Sequence, residues 1–285
     1  MPDDDHALAR ELAEQAGQRL VELRAHGGDP DLLRKAGDRQ SHEFLTGQLA
    51  GRRPGDVVLS EEGADHPARL GARRVWIVDP LDGTREFGEP GRTDWAVHVA
   101  LWERSGAARV GEPRAGEPRI GELRAGEPSA GDLTAGAVAL PAQGTVLSTL
   151  HPPSAPAGPD GGAPDDGGAV GRIRIVVSRS RAPQLVRNIS DLINAELVPL
   201  GSAGAKVAAV VGGEVDAYVH GGGFYEWDTA APVAVARAAG FHASRIDSSA
   251  LAYNQADLLM PDILVCRPAL AGPLLQAIRE VTNAS

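Results

Sequence analysis

Arg74-Val75-Trp76-Ile77-Val78-Asp79-Pro80-Leu81-Asp82-Gly83-Thr84-Arg85-Glu86-Phe87 is the stretch on which the fold turns. Val75 to Val78 form a short apolar run, mostly β-branched, of the kind that packs inside a sheet. The run breaks at Asp79-Pro80, because Pro lacks the N–H that a ladder needs, and the strand is expected to end there. Asp79 and Asp82 follow three residues apart, with Gly83 and Thr84 directly behind. Carboxylates at the end of a buried strand cost free energy unless a cation meets them. Such oxygen ligands suit Mg²⁺, which takes carboxylates, carbonyls and water and shares its shell with substrate phosphate. Turn and capping chemistry also accounts for Asp and Gly at these positions.

Upstream, Val57-Val58-Leu59-Ser60-Glu61-Glu62-Gly63 is a second short apolar run ending in carboxylates. Two neighbouring strands would deliver Glu61, Asp79 and Asp82 to one end of one sheet. Three carboxylates there, without basic partners nearby in sequence, argue for a metal site over an ion-pair network. Glu62 is the weaker ligand of its pair, since adjacent strand residues point to opposite faces.

Ser60-Glu61-Glu62, Asp79-Pro80-Leu81-Asp82-Gly83-Thr84 and Glu226-Trp227-Asp228-Thr229-Ala230-Ala231, in this order, resemble the motifs of the inositol monophosphatase superfamily of Mg²⁺-dependent phosphatases. The ending Thr84-Arg85-Glu86-Phe87 looks most like its CysQ-type bisphosphate nucleotidase branch, which dephosphorylates 3'-phosphoadenosine 5'-phosphate. The resemblance covers nearly the whole chain outside two inserts. It implies a layered α/β–α+β sandwich of alternating αβαβα layers, with the metal site where the two halves meet. It also implies two or three Mg²⁺ ions. Glu61, Asp79 and the backbone carbonyl of Leu81 would hold the first, and Asp79 would bridge to a second completed by Asp82 and Asp228. Thr84, hydrogen-bonded toward Asp38, would act with Glu61 to orient and deprotonate the attacking water. Gly83 and Thr84 would open a helix whose N–H groups receive phosphate. Asp38 is placed by the run Ala36-Gly37-Asp38 followed by Ser41 and Phe44; the family's usual threonine before this aspartate is replaced here by the neighbourhood of Arg34 and Lys35.

Composition limits the partners. The 285 residues carry a net charge of −10, which disfavours nonspecific binding to nucleic acid polymers or anionic membranes. An anionic phosphate ester then needs local cations. Arg85, Arg179 and Lys206 are candidates for a second phosphate, and Arg181 stands where relatives often have histidine; as surface charges these residues would be unremarkable. Ser202 and the turn from Gly221 to Tyr225 are candidates to line a nucleoside pocket, but no aromatic sandwich for adenine is legible. The single cysteine, Cys266, excludes an intrachain disulfide and reads as core. Without a long apolar run, and with the acidic start Asp3-Asp4-Asp5, the chain reads as soluble and cytoplasmic. A homodimer stays open. Inositol monophosphate or fructose bisphosphate remain alternative substrates, and an inactive metal- or nucleotide-binding module is the alternative of another class.

Along the chain, helices are expected from about Asp5 to Ala25 and from Asp38 to Leu49, with Gly27-Gly28-Asp29-Pro30 between them and Asp38 as an N-cap. A strand follows from Gly91 to Leu101. Its alternation puts Trp95, Val97, Val99 and Leu101 on one face, while His98, on the other, reads as a satisfied or exposed residue rather than a ligand. From Val110 a five-residue period recurs, as in Gly111-Glu112-Pro113-Arg114-Ala115 and Gly116-Glu117-Pro118-Arg119-Ile120. No regular element has that period, so 110–134 reads as a low-complexity insert in a β-hairpin whose outgoing strand resumes at about Ala135. The expected organisation is 1–150, a Pro/Gly-rich connection over 151–171, and 172–285. The last part alternates strands and helices, as in a parallel or mixed sheet covered by helices.

Overall fold

The computed structural model describes residues 4–105, 130–154, 172–180 and 182–283. The core of the pentapeptide tract, most of the 151–171 connection and Arg181 lie outside the described residues.

Helix α1, Asp5–Ala25, is capped by Asp4, whose Oδ1 accepts the His6 N–H at 3.0 Å. Helix α2, Pro30–Arg52, begins eight residues before the expected Asp38. The segment Asp29-Pro30 both ends one helix and starts the next. Asp29 Oδ1 accepts the N–H groups of Asp31 and Leu32 at 3.0 Å, and Pro30 takes the position where a missing N–H costs nothing. Asp38 is therefore mid-helix and caps nothing.

Strand β1, Val57–Ser60, runs parallel to β2, Arg74–Asp82. The strand does not stop at Asp79-Pro80 as expected. It continues to Asp82 through a register shift between Asp79 and Asp82, so Pro80 sits in a bulge where no ladder N–H is required. A short helix α3, Thr84–Gly88, leads to β3, Ala96–Arg104, which pairs antiparallel with β2 on one side and with β4, Gly131–Leu140, on the other. Strand β5, Thr145–Ser148, completes the sheet in the order β1-β2-β3-β4-β5. The hairpin reading holds, but its outgoing strand starts at Gly131, four residues earlier than the sequence suggested. Gly131 lies against Trp102, where a Cβ would overlap the indole ring, and Ser105 N–H closes the stem on Ala130 O at 2.9 Å.

The remaining elements are β6, Arg174–Ser178; α4, Gln184–Ile193; β7, Glu196–Leu200; α5, Ala203–Val211; β8, Ala217–His220; β9, Phe224–Tyr225; α6, Glu226–Ala238; β10, His242–Ser244; β11, Leu259–Met260; β12, Ile263–Cys266; and α7, Pro268–Asn283. The second sheet has the order β10-β12-β8-β6-β7. It is mixed, with β6 parallel to both β7 and β8, and β12 antiparallel to β8 and β10. A two-stranded ladder pairs β9 with β11.

Strand period 2 explains the layering. On β2, Trp76 and Val78 face α1 and α2, joining Leu8, Leu12, Leu20, Leu45 and Leu49. Val75 and Ile77 face the other way, against Val207, Val210, Ala230 and Val233 of α5 and α6. The far side of those two helices meets Val176, Tyr218 and Val265 of the second sheet. That sheet's outer face, with Ile175, Val177, Val219 and Leu264, packs on Val186, Ile189, Leu274 and Ile278 of α4 and α7. The result is the αβαβα sandwich. Because β2 is buried on both faces, its residues read as a continuous apolar run rather than an alternating one.

Candidate active site

The parallel pairing of β1 with β2 sets Glu61, the residue after β1, beside Asp79, with its N–H 3.4 Å from Val78 O. Asp79 pairs with His98 of β3 and Asp82 with Ala96, so three steps along β2 answer two along β3. Residues three apart on a regular strand face opposite ways; the bulge's extra residue turns both carboxyls toward the same side. Asp79 Oδ1 accepts the Leu81 N–H at 3.0 Å, and Ser41 of α2 donates to Pro80 O at 2.7 Å, pinning the bulge. Asp228, in the first turn of α6, is the third residue of that helix rather than its cap. Its Oδ2 accepts the Tyr225 N–H at 2.6 Å. Carboxylate oxygens of Asp79, Asp82 and Asp228 all lie within 4.8 Å of one another.

The four acids differ in electrostatic standing. Asp79 is held far above the usual carboxylate range by burial and then by Glu61, Asp82 and Asp228. Glu61 is pushed up to about 7, by burial and then by Asp228. Asp228 is pushed up to about 6, by burial and then by Asp82. Asp82 goes the other way. Burial pushes it up, but the His98 ring, Lys206 and the Gly204 N–H outweigh that and leave it low. Its Oδ1 accepts the Ala203 N–H at 3.2 Å and its Oδ2 the Gly204 N–H at 2.6 Å, so this carboxylate sits on the positive end of α5.

Charges crowded in this way resist ionisation unless a cation is shared among them. All the donors are hard oxygens, three of the four acids are buried or nearly so, and the mutual repulsion is relieved by a divalent ion. The residues therefore fit a metal such as Mg²⁺.

Beside the acids, the Thr84 hydroxyl lies 3.0 Å from Leu81 O and 3.3 Å from Asp38 Oδ1, donating toward both. Asp38 reaches Thr84 from the middle of α2, and burial, then Glu62, push its carboxyl up to about 6. Gly83 has φ +80°, a left-handed turn in which a Cβ would also meet Ser202 Cβ at 2.9 Å.

The candidate substrate cations are placed very differently. Arg85 is largely exposed and only loosely paired, 3.3 Å from Glu89. Arg179 is engaged by Glu86 and Glu89, each at 2.9 Å. Lys206 is buried, with Nζ donating to Gly201 O and, at 2.9 Å, to Ser202 O, and desolvation lowers its pKa. Ser202 caps α5, accepting the Ala205 N–H at 2.9 Å.

Sequence reasoning passed over His98. It is fully buried, with Nε2 3.1 Å from Asp82 Oδ2 and Nδ1 3.1 Å from Trp227 O. Burial alone would lower its pKa, but Asp82 raises it above the usual value. A signal existed. Alternation puts His98 on the strand face shared with the small residues Ala96 and Ala100, the face that the acids also take once the bulge is known.

The model of the inositol monophosphatase family matches residues 6–283. The chain belongs to the inositol monophosphatase family. A 3'-phosphoadenosine 5'-phosphate phosphatase of Mycobacterium leprae is 47% identical over 280 residues, covering 97% of this chain and 94% of that protein. The protein of the same name from Mycobacterium tuberculosis is 47% identical over 270 residues, covering 93% and 90%. Among solved structures, inositol monophosphatase II of Staphylococcus aureus superposes with a TM-score of 0.71 at 19% identity, covering 98% of this chain and 94% of that one. That likeness extends the family fold across the described layers. Among the described residues no helix is long and apolar enough to cross a membrane.

Proposed function

We propose that this inositol monophosphatase family member is a Mg²⁺-dependent phosphatase that hydrolyses the 3'-phosphate of 3'-phosphoadenosine 5'-phosphate, giving AMP and phosphate, in the cytoplasm. The observation that carries the reading is the convergence of Asp79, Asp82 and Asp228 next to the Thr84–Asp38 pair. The 47% identity to phosphatases of that name over more than nine-tenths of the chain supports the choice of substrate.

Glu61, Asp79, Asp82, Asp228 and the Leu81 carbonyl would hold two or three ions. When bound, divalent metal lowers the pKa of water and offsets charge on the transferring phosphoryl group. The chain supplies the rest. Thr84 spends its proton on Leu81 O and Asp38, which leaves its oxygen lone pairs to accept a hydrogen bond from the attacking water and fix its direction. Glu61, ionised once a cation offsets the neighbouring carboxylates and exposed at the open edge of the cluster, takes that water's proton. The P–O bond to the ribose 3'-oxygen breaks as the water oxygen bonds to phosphorus, and the leaving oxygen takes up a proton. Arg85 is the exposed cation able to leave its loose partner and meet the 5'-phosphate. Arg179 and Lys206 act by holding Glu86, Glu89 and the start of α5 in place.

The test is a substrate panel on the purified protein with Mg²⁺: 3'-phosphoadenosine 5'-phosphate, adenosine 3'-phosphate, inositol 1-phosphate and fructose 1,6-bisphosphate. The bisphosphate nucleotide should give the highest kcat/KM. A higher value on inositol phosphate or the sugar bisphosphate overturns the substrate assignment, and no turnover on any of them overturns the enzyme assignment.

A further inference from the structure

A second group of buried polar side chains takes no part in the chemistry above. Arg69, in the short 3₁₀ turn Pro67–Gly71, is 1% exposed. Its Nε and Nη2 donate to the two carboxylate oxygens of Asp65, at 2.6 and 3.2 Å, and its Nη1 donates to Asn254 Oδ1 at 2.9 Å. Asn254 is fully buried and returns its side-chain amide to Arg69 O at 3.1 Å. Its backbone N–H donates to Glu226 Oε2, and the Gln255 N–H donates to Glu226 Oε1, each at 2.7 Å. Glu226 is fully buried as well. Asn254 has φ +57°, in the left-handed region, which asparagine tolerates better than most residues with a Cβ.

Buried charges of this kind are a poor route to stability. Desolvation offsets their attraction, and apolar side chains of the same volume often hold a fold as well or better. What a fully satisfied network does supply is a fixed geometry, because each partner meets its hydrogen bonds in only one place.

The two ends of this network fall at the acids. Asp65 and Arg69 close the segment that opens with Glu61 and Glu62. Residues 61–68 are exposed, so Arg69 is the first buried anchor after Ser60. At the other end, Glu226 is the first residue of α6 and Asp228 the third. Two residues turn about 200° around a helix axis, so Glu226 holds α6 from the side opposite to Asp228. The Glu226 N–H, given to Leu258 O at 3.0 Å, fixes the same turn a second time. Arg69 and Asn254 are 185 positions apart in the chain, and the bonds between them join the segment carrying Glu61 to the helix carrying Asp228. Asp79 and Asp82 are set by a strand they share, whereas Glu61 and Asp228 come from opposite halves of the chain. These two are near enough for Asp228 to raise the Glu61 carboxyl.

We propose that Arg69, Asn254 and Glu226 are positioning residues that tie the Glu61 segment to α6 and so set the separation of the Glu61 and Asp228 carboxylates across the metal site. This rests on the metal-dependent phosphatase reading above and is independent of which phosphate ester is cleaved. Catalysis needs both acids at one spacing, and misplacement by about 1 Å is enough to cost about 100-fold in rate.

The experiment compares wild type with Asn254→Gly, Asn254→Asp and, as a control, Ile278→Ala, which opens a cavity in the outer α4–α7 layer. Melting temperature is followed from chelator through a Mg²⁺ titration, and kcat and KM are measured at saturating Mg²⁺. Asn254→Gly keeps the left-handed backbone and the N–H to Glu226 but drops both side-chain bonds to Arg69. It should raise the Mg²⁺ concentration for half-maximal stabilisation about 10- to 100-fold, as loss of an outer support of a metal ligand does. It should also lower kcat while leaving KM nearly unchanged. Asn254→Asp keeps an acceptor for Arg69 and should recover part of the Mg²⁺ affinity. Should Asn254→Gly not fold, Glu226→Gln takes its place with the same expectation, since it keeps one acceptor and turns a donor toward the other backbone N–H. A lower melting temperature in chelator with an unchanged Mg²⁺ midpoint overturns the tie and leaves a merely structural network. So does an equal rise of that midpoint in Ile278→Ala, or an Asn254→Asp variant no better than Asn254→Gly. A wild type whose melting ignores Mg²⁺ removes the metal-dependent reading itself, and that result is visible before any variant is made.

Discussion

Asp228→Asn should stabilise the metal-free protein while destroying its response to metal. The carboxyl of Asp228 is pushed up to about 6, by burial and then by Asp82. In the unfolded chain it titrates near 3.9. The folded state therefore keeps its proton longer than the unfolded state, and the stability present below pH 4 is lost as pH rises through about 6. Once both states are ionised, the difference amounts to about 3 kcal/mol against folding. Glu61 shifts in the same direction, to about 7, and extends the window upward. Asparagine has nearly the same shape, and its Oδ can still accept the Tyr225 N–H, but it carries no charge. In urea melts at pH 8 with a chelator, the variant should exceed wild type by about 2–3 kcal/mol, and the gap should close by pH 4. With Mg²⁺ the gap should close at about 100 times the Kd, where ligand adds about 2.7 kcal/mol to a protein with an intact site, and reverse at about 1,000 times, where it adds about 4.1 kcal/mol. A variant less stable than wild type at pH 8 in chelator, or a gap that ignores pH, would refute the picture of carboxylates repelling one another in wait for a cation.

Thr84→Ala should lower kcat about 10²- to 10⁴-fold with little change in Mg²⁺-dependent melting, and Thr84→Ser should recover part of the loss in steady-state assays. His98→Ala strips Asp82 of its buried cationic neighbour and Trp227 O of its partner, and should cost about 3–5 kcal/mol in denaturant melts at saturating Mg²⁺. Arg85→Ala should shrink the preference for 3'-phosphoadenosine 5'-phosphate over adenosine 3'-phosphate by about tenfold, with activity on the monophosphate as the control. Arg179→Ala, which leaves buried Glu86 unpaired, should instead lower the melting temperature.

The acidic motifs were legible because their chemistry is local: a strand, a break and carboxylates at fixed spacing. The sandwich followed from the resemblance those motifs carry, and the helix–strand alternation of 172–285 agreed with it. What sequence hid was nonlocal. Asp38 looked like a cap because Asp and a following apolar pattern mark helix starts. The true start at Asp29-Pro30 had been assigned to the end of the preceding helix. Pro80 looked like a terminator, yet a bulge lets a strand carry proline through. His98 had no partner in sequence because its partners, Asp82 and Trp227, arrive from β2 and from 129 residues downstream. Lys206 reads in sequence as a candidate cation for a second phosphate because burial of a lysine has no signature in a lone K; only the fold shows its Nζ turned to the carbonyls of Gly201 and Ser202.

The central helical layer has a consequence for synthesis of the protein. Helices α5 and α6 cover the inner face of the first sheet, yet they come from residues 203–238, long after that sheet's strands are complete at Ser148. During translation, Val75, Ile77, Trp102 and Val138 must wait on the ribosome with one side of a finished sheet bare. At about 5–20 residues per second the exposure lasts several seconds, long enough for unwanted association. Any slowing between Ser148 and Ala238 lengthens that interval, so the chain's need for a chaperone should track the pace of translation across this window more closely than the stability of the finished molecule.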